Sequence, residues 1–297
     1  MTVLFTCAYR GRRYVGIGKP VPGVPHRLHE VPHERLRAAF LAGGGAEAVV
    51  SAVTSGTATV DVAVDDPELT LLPPLLPETG EALLTGFMGT HRSKYDHDPD
   101  PAQEFRPPNW LIKGFGSWLR MPDQPLAAAA STVALLEEPE VALVHVNDDD
   151  GTPHYAGYTF ANDLNDIGYH LQNPWGWTPY SKLCETSMTP WLFLDEPPRT
   201  VTGRITIERE GAAAWKGDFS CGSDALYHRV DDLLNHLFSY PVVRRPELVT
   251  YVLLGADKAS YHDGFRIADG DRITIDVQSH DTVLSNVIAY TGQTRVV

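Results

Sequence analysis

The chain reads as an α+β protein dominated by strands, with a small β-rich unit ahead of a larger body. Three observations predict this. Short runs of β-branched and aromatic residues recur between turn clusters, and the body has one long segment of helical periodicity. Pro73, Pro74 and Pro77 then break the chain, so the expected boundary falls between units at 1–81 and 82–297.

The first unit opens with a strand at Val3–Tyr9, a turn at 10–13 and a second strand at 14–18. Residues 33–42 have helical spacing and stop at Gly43-Gly44-Gly45, because glycine ends helices at little cost. In the body, Leu226, Val230, Leu233, Leu234 and Leu237 recur at helical spacing, which predicts a helix over 223–238 with Asp231, Asp232 and His236 facing away. No internal repeat is visible.

Composition narrows the class. At 297 residues, with 43% hydrophobic and 9% aromatic residues, the chain can bury a substantial core. A formal charge of −14 argues against nucleic acid or an anionic membrane as partner. No apolar run reaches the roughly 18 residues of a membrane span, and the first nine residues are too short and soon too basic for a signal peptide. Cys7, Cys184 and Cys221 are odd in number and lack zinc spacing, which suits reduced thiols in a cytoplasm.

The most informative stretch is Glu138-Pro139-Glu140, followed by the apolar residues 141–144 and then Gly157-Tyr158-Thr159-Phe160-Ala161-Asn162-Asp163. On an extended segment, positions i and i+2 share a face, so Glu138 and Glu140 project together. Residues 155–161 read as the second arm of a hairpin joined by the turn-like 147–153, and Asp163 falls where that arm ends. Three carboxylates without a nearby cysteine favour Mg²⁺, with Mn²⁺ or Ca²⁺ as alternatives, over zinc. The same spacing also describes the solvated face of a surface strand.

The order of several short motifs over residues 84–288, about two-thirds of the chain, resembles the fumarylacetoacetate hydrolase superfamily. The stretches are Trp110-Leu111-Ile112-Lys113, Glu138-Pro139-Glu140, 157–163, Tyr180-Ser181-Lys182, Thr189-Pro190-Trp191-Leu192, Leu253-Leu254-Gly255, and 267–273 with a closing Asn286. Glu138-Pro139-Glu140, Pro179-Tyr180-Ser181-Lys182 and 84–91 look closest to the branch that dehydrates 2-keto-3-deoxy sugar acids, the arabinonate dehydratases. The resemblance implies a mixed β-roll core, a homodimer, and Glu138, Glu140 and Asp163 as metal ligands. It also implies Lys182 and His91 as catalytic residues, His91 on a lid loop, with Lys113, His170 and Tyr180 lining a small-molecule 2-oxo acid. Trp175 and Trp177 are expected to pack.

Three departures bear on the chemistry. Hydrolases of the superfamily carry a glutamate three residues after the lid histidine, forming a dyad that activates water, and here that position is Lys94. Asp96 and Asp98 are the nearest acids. Ile167 stands where many relatives have an arginine, and Gly255-Ala256-Asp257 lacks the hydroxyl of a Gly-Thr motif. The expected activity is thus dehydration of a 2-keto-3-deoxy sugar acid or similar 2-oxo acid through a metal-stabilised enolate. The alternatives are carbon–carbon hydrolysis of an acylpyruvate, a specialised biosynthetic reaction on the same enolate, or non-catalytic binding of an oxo acid.

Overall fold

The computed structural model describes residues 1–100 and 102–292. Its centre is the predicted hairpin, strands Pro139–Asn147 and Pro153–Asp163, in antiparallel register with Pro139 opposite Asn162 and Glu140 opposite Ala161. Every residue of Pro139–Asn147 is buried. Such continuous burial requires cover on both faces, and period-two alternation assigns the cover. Val141 and Leu143 join a core shared with Ile205, Ile273 and Leu284 of a five-stranded sheet. Ala142, Val144 and Val146 face the other way, into a core with Leu36, Phe40, Val49 and Val53 of two helices. Glu138 and Glu140 continue the parity of Ala142 and Val144.

The hairpin lies inside a twelve-stranded sheet. On one side, Pro139–Asn147 pairs with Val249–Leu253, which runs parallel to Ala82–Phe87, and Trp110–Phe115 follows. On the other, Pro153–Asp163 pairs with Thr186–Met188 and with Trp191–Phe193, which carries Val3–Tyr9. The sheet is mixed and the chain β-dominated, as the sequence predicts, and the strands of residues 1–81 extend that sheet. Among the described residues no helix is long and apolar enough to cross a membrane.

One predicted helix is found where expected, a second goes unpredicted, and a third is shorter than predicted. The helix at His33–Leu41 ends before Gly43, yet Gly45–Thr54 forms a second helix that the glycine triplet concealed. The predicted helix over 223–238 shrinks to Val230–Leu237, after a short 3-10 turn at Ser223–Ala225. Residues 226 and 227 are held elsewhere: the Tyr227 N–H donates to Thr90 O at 2.7 Å, and Leu226 bridges His91. Those backbone groups cannot also serve a helix.

Candidate active site

The carboxylates of Glu138, Glu140 and Asp163 offer oxygens that all lie within 4.8 Å of one another. The hairpin register explains why. The Asp163 N–H donates to Glu138 O at 2.9 Å, which puts the last residue of one strand beside the residue preceding the other.

Two lysines neutralise the cluster. Lys182 Nζ lies 2.8 Å from Asp163 Oδ2 and 3.1 Å from Glu138 Oε2, and Lys113 Nζ lies 2.8 Å from Asp163 Oδ1. Lys113 also donates to Leu164 O and, at 3.3 Å, to Asn165 Oδ1. Asn165 Nδ2 in turn donates to Glu138 Oε2 and Asp163 O. Glu140 accepts the Gly255 N–H on Oε2. Oε1 of Glu138 and of Glu140 therefore have no hydrogen bond among the described residues.

The environments push the groups apart. Burial raises Glu140 well above the ordinary carboxylate value, and the charges of Asp163 and Glu138 raise it further. Burial acts the same way on Asp163, but Lys113 and Lys182 outweigh it and hold that carboxyl below its usual value. Lys182 is raised, because Asp163, Glu138 and Glu140 outweigh its desolvation. Among the described residues no lysine pairs directly with Glu140, and its raised value marks a buried carboxyl that lacks a cationic partner, so the donor set fits a hard divalent cation.

His91 is 1% exposed, and among the described residues neither ring nitrogen has a hydrogen-bond partner. Its Nδ1 comes within 3.5 Å of the position a β-carbon on Gly255 would take, and Gly255 is the residue bonded to Glu140. Burial, and then the charge of Lys94, lower its pKa to about 4, so the imidazole is neutral near pH 7. An unsatisfied buried imidazole is rare in a finished core and is expected where a ligand completes the site. Lys94 sits one 3-10 turn further on, while Asp96 and Asp98 are exposed.

His170 is partly buried, its Nδ1 2.7 Å from Thr178 Oγ1. Its pKa is lowered by burial and then by Lys182, with Glu138 opposing, so it lies within electrostatic reach of the cluster. Tyr180 is 61% exposed and lines a groove of about 220 Å³ with Ser131, Asp166, Tyr169 and Cys184. The expectation that both tryptophans pack is corrected: Trp177 lies tilted against Tyr169, with ring centroids 5.1 Å apart, but Trp175 is 98% exposed.

Sequence reasoning missed Glu137. It is fully buried, and both of its oxygens accept from Ser260 at 2.7 Å, one from the N–H and one from the hydroxyl. Burial raises its carboxyl to about 7 even though the Ser260 donors pull it down. A third acid beside Glu138 and Glu140 was the available signal.

No protein-family model matches the chain, and no curated protein matches it. Solved structures do. The apo form of a 2-keto-3-deoxy-D-arabinonate dehydratase is similar over 98% of this chain and 100% of its own, with a TM-score of 0.70 at 15% identity. That enzyme complexed with magnesium and 2,5-dioxopentanoate gives a TM-score of 0.68 at 15% identity, over 98% of this chain and 100% of that one. A 2-hydroxyhepta-2,4-diene-1,7-dioate isomerase from Mycobacterium marinum gives 0.65 at 17% identity, over 99% of this chain and 100% of its own. End to end, this chain has the fold of those enzymes, the fold its motif order implied.

Proposed function

We propose that the chain is a divalent-metal-dependent enzyme of the fumarylacetoacetate hydrolase superfamily that dehydrates a 2-keto-3-deoxy sugar acid or a similar 2-oxo acid. The observation that carries this reading is the convergence of Glu138, Glu140 and Asp163 with Lys182 beside the neutral, unpartnered His91. It is supported by the fold shared with a dehydratase whose structure contains magnesium and 2,5-dioxopentanoate. When bound by the three carboxylates, Mg²⁺, or Mn²⁺ or Ca²⁺ in its place, supplies Lewis-acid polarisation of a keto group.

The chain's own residues divide the remaining work. Lys182 uses two of its three N–H donors on Asp163 and Glu138, which leaves one for the oxygen that gains charge as the enolate forms. Lys113 has contacts for all three of its donors, so we assign it to holding Asp163 instead of touching substrate. His91 takes the proton from the carbon next to the keto group and returns it to the hydroxyl that leaves, releasing water. His170 and Tyr180 line the approach. Dehydration is preferred over hydrolysis because, among the described residues, the ring of His91 makes no hydrogen bond to a carboxylate that could help it activate a water, and Lys94 occupies the position of the acid.

We read residues 1–81 as a small N-terminal unit packed on the catalytic body at 82–297, and the enzyme as a homodimer in the cytoplasm, where its three free thiols are stable. Titration of oxalate, which mimics the planar enolate of a 2-oxo acid, tests the reading. Binding that requires Mg²⁺ and disappears in Asp163→Asn is expected, and metal-independent binding would contradict it.

A further inference from the structure

We propose that Glu137 is a positioning residue of the carboxylate site, acting through Ser260 to hold residues 255–264 against it. This rests on the metal-site reading above. Glu137 and Ser260 are both fully buried, and the two oxygens of one carboxylate take both donors of one serine. Among the described residues no lysine or arginine pairs with Glu137. A buried carboxylate without a cation is a costly way to fill space, and an apolar side chain would pack there at lower cost. What the apolar side chain lacks is the ability to fix Ser260.

Fixing Ser260 matters because the same segment reaches the site at its other end. The Gly255 N–H donates to Oε2 of Glu140 and so sets how that carboxylate is turned, leaving Oε1 for a cation. Residues 255–264 are thus tied twice to the run Glu137-Glu138-Pro139-Glu140, at Glu137 and at Glu140, with Glu138 between the ties. Beyond these ties Asp257 accepts from the Ser220 N–H and Asp263 from Trp215 Nε1, while Leu254, just before the segment, is held by its N–H on Val141 O and by the Thr90 hydroxyl on its carbonyl. Releasing Ser260 removes the buried tie on the C-terminal side of Gly255, and the orientation of Glu140 loosens with it. Partners of metal-ligating carboxylates are typically worth about 10-fold to 100-fold in metal affinity.

The test is Mn²⁺ affinity by electron paramagnetic resonance on the full chain, with hydrogen exchange over 255–264 and the melting temperature measured in parallel. Glu137→Leu and Ser260→Ala are each expected to weaken Mn²⁺ binding about 10-fold or more and to speed exchange in that segment. Glu137→Gln keeps an acceptor for Ser260 and is expected to stay within a few-fold of the parent. A merely structural contact would shift melting without moving the affinity of the folded protein. Wild-type Mn²⁺ affinity in both Glu137→Leu and Ser260→Ala overturns the proposal, and Ser260→Ala decides alone if Glu137→Leu does not fold. A parent protein that takes up no Mn²⁺ overturns the metal reading itself and the role of Glu137 in it, a result distinct from parent binding that the variants fail to change.

Discussion

Lys182 Nζ stands 2.8 Å from Oδ2 of Asp163, with both side chains almost wholly buried. Neither charge would be stable there alone, since removing one partner of a buried pair typically costs about 3–5 kcal/mol. Lys182→Met should therefore destabilise the metal-free protein by an amount of that order and lower turnover by about 100-fold or more. Urea denaturation and steady-state kinetics check the two halves separately. Loss of turnover with stability intact would also fit catalysis, whereas unchanged turnover would remove Lys182 from the mechanism.

The imidazole of His91, held at about 4 by burial and by Lys94, should set the acid limb of kcat/KM well below the ordinary histidine value near 6.5. Replacing Lys94 with glutamine removes one of the two causes, so the limb should move to higher pH. A pH–rate profile of the two proteins checks this. An acid limb near 6.5 in the parent, unmoved by Lys94→Gln, would assign the base to another residue.

Gly255 adopts φ +91°, and a β-carbon there would fall against Thr90 Oγ1, whose hydroxyl donates to Leu254 O. Gly255→Ala should cost about 1–3 kcal/mol from backbone strain and weaken metal binding by displacing the N–H on Glu140. Melting and Mn²⁺ titration report the two effects. Parent-like behaviour in both would mean that the segment shifts without consequence.

His145, 4% exposed between the rings of Tyr155 and Phe238, has its pKa lowered by burial to about 4. The folded protein then binds fewer protons than the unfolded chain between pH 6.5 and 4. Its contribution to stability is complete above pH 6.5 and falls as pH drops through that window. From pH 7 to pH 5 His145 should account for about 2 kcal/mol of the parent's loss, a share that His145→Phe lacks. Urea midpoints of both proteins at the two pH values measure it, and equal losses would refute the assignment.

Much of the site was legible because its geometry is local. Alternation along Glu138-Pro139-Glu140 and the hairpin closing at Asp163 bring three carboxylates together, and both follow from strand period and turn composition. What the sequence hid is long-range. Glu137 reads as one more surface acid until Ser260, 123 positions away, is seen to use both of its oxygens. Leu226 has helical spacing, but it is bridged to His91 and its neighbour Tyr227 is held by Thr90. Nor does the sequence show that Lys113 contacts Asp163, Leu164 and Asn165, the last two 51 and 52 positions away. The strand content of the body was plain from residue type, whereas the helix Gly45–Thr54 was masked by the glycines at its start.

The most direct test of the central claim is mass spectrometry of products after incubation with a panel of 2-keto-3-deoxy sugar acids and acylpyruvates, with Mg²⁺ and with EDTA. The account predicts a product lighter by one water, formed only with the metal and absent from Asp163→Asn. Two fragments whose masses sum to substrate plus water, or a product formed equally well in EDTA, would contradict it.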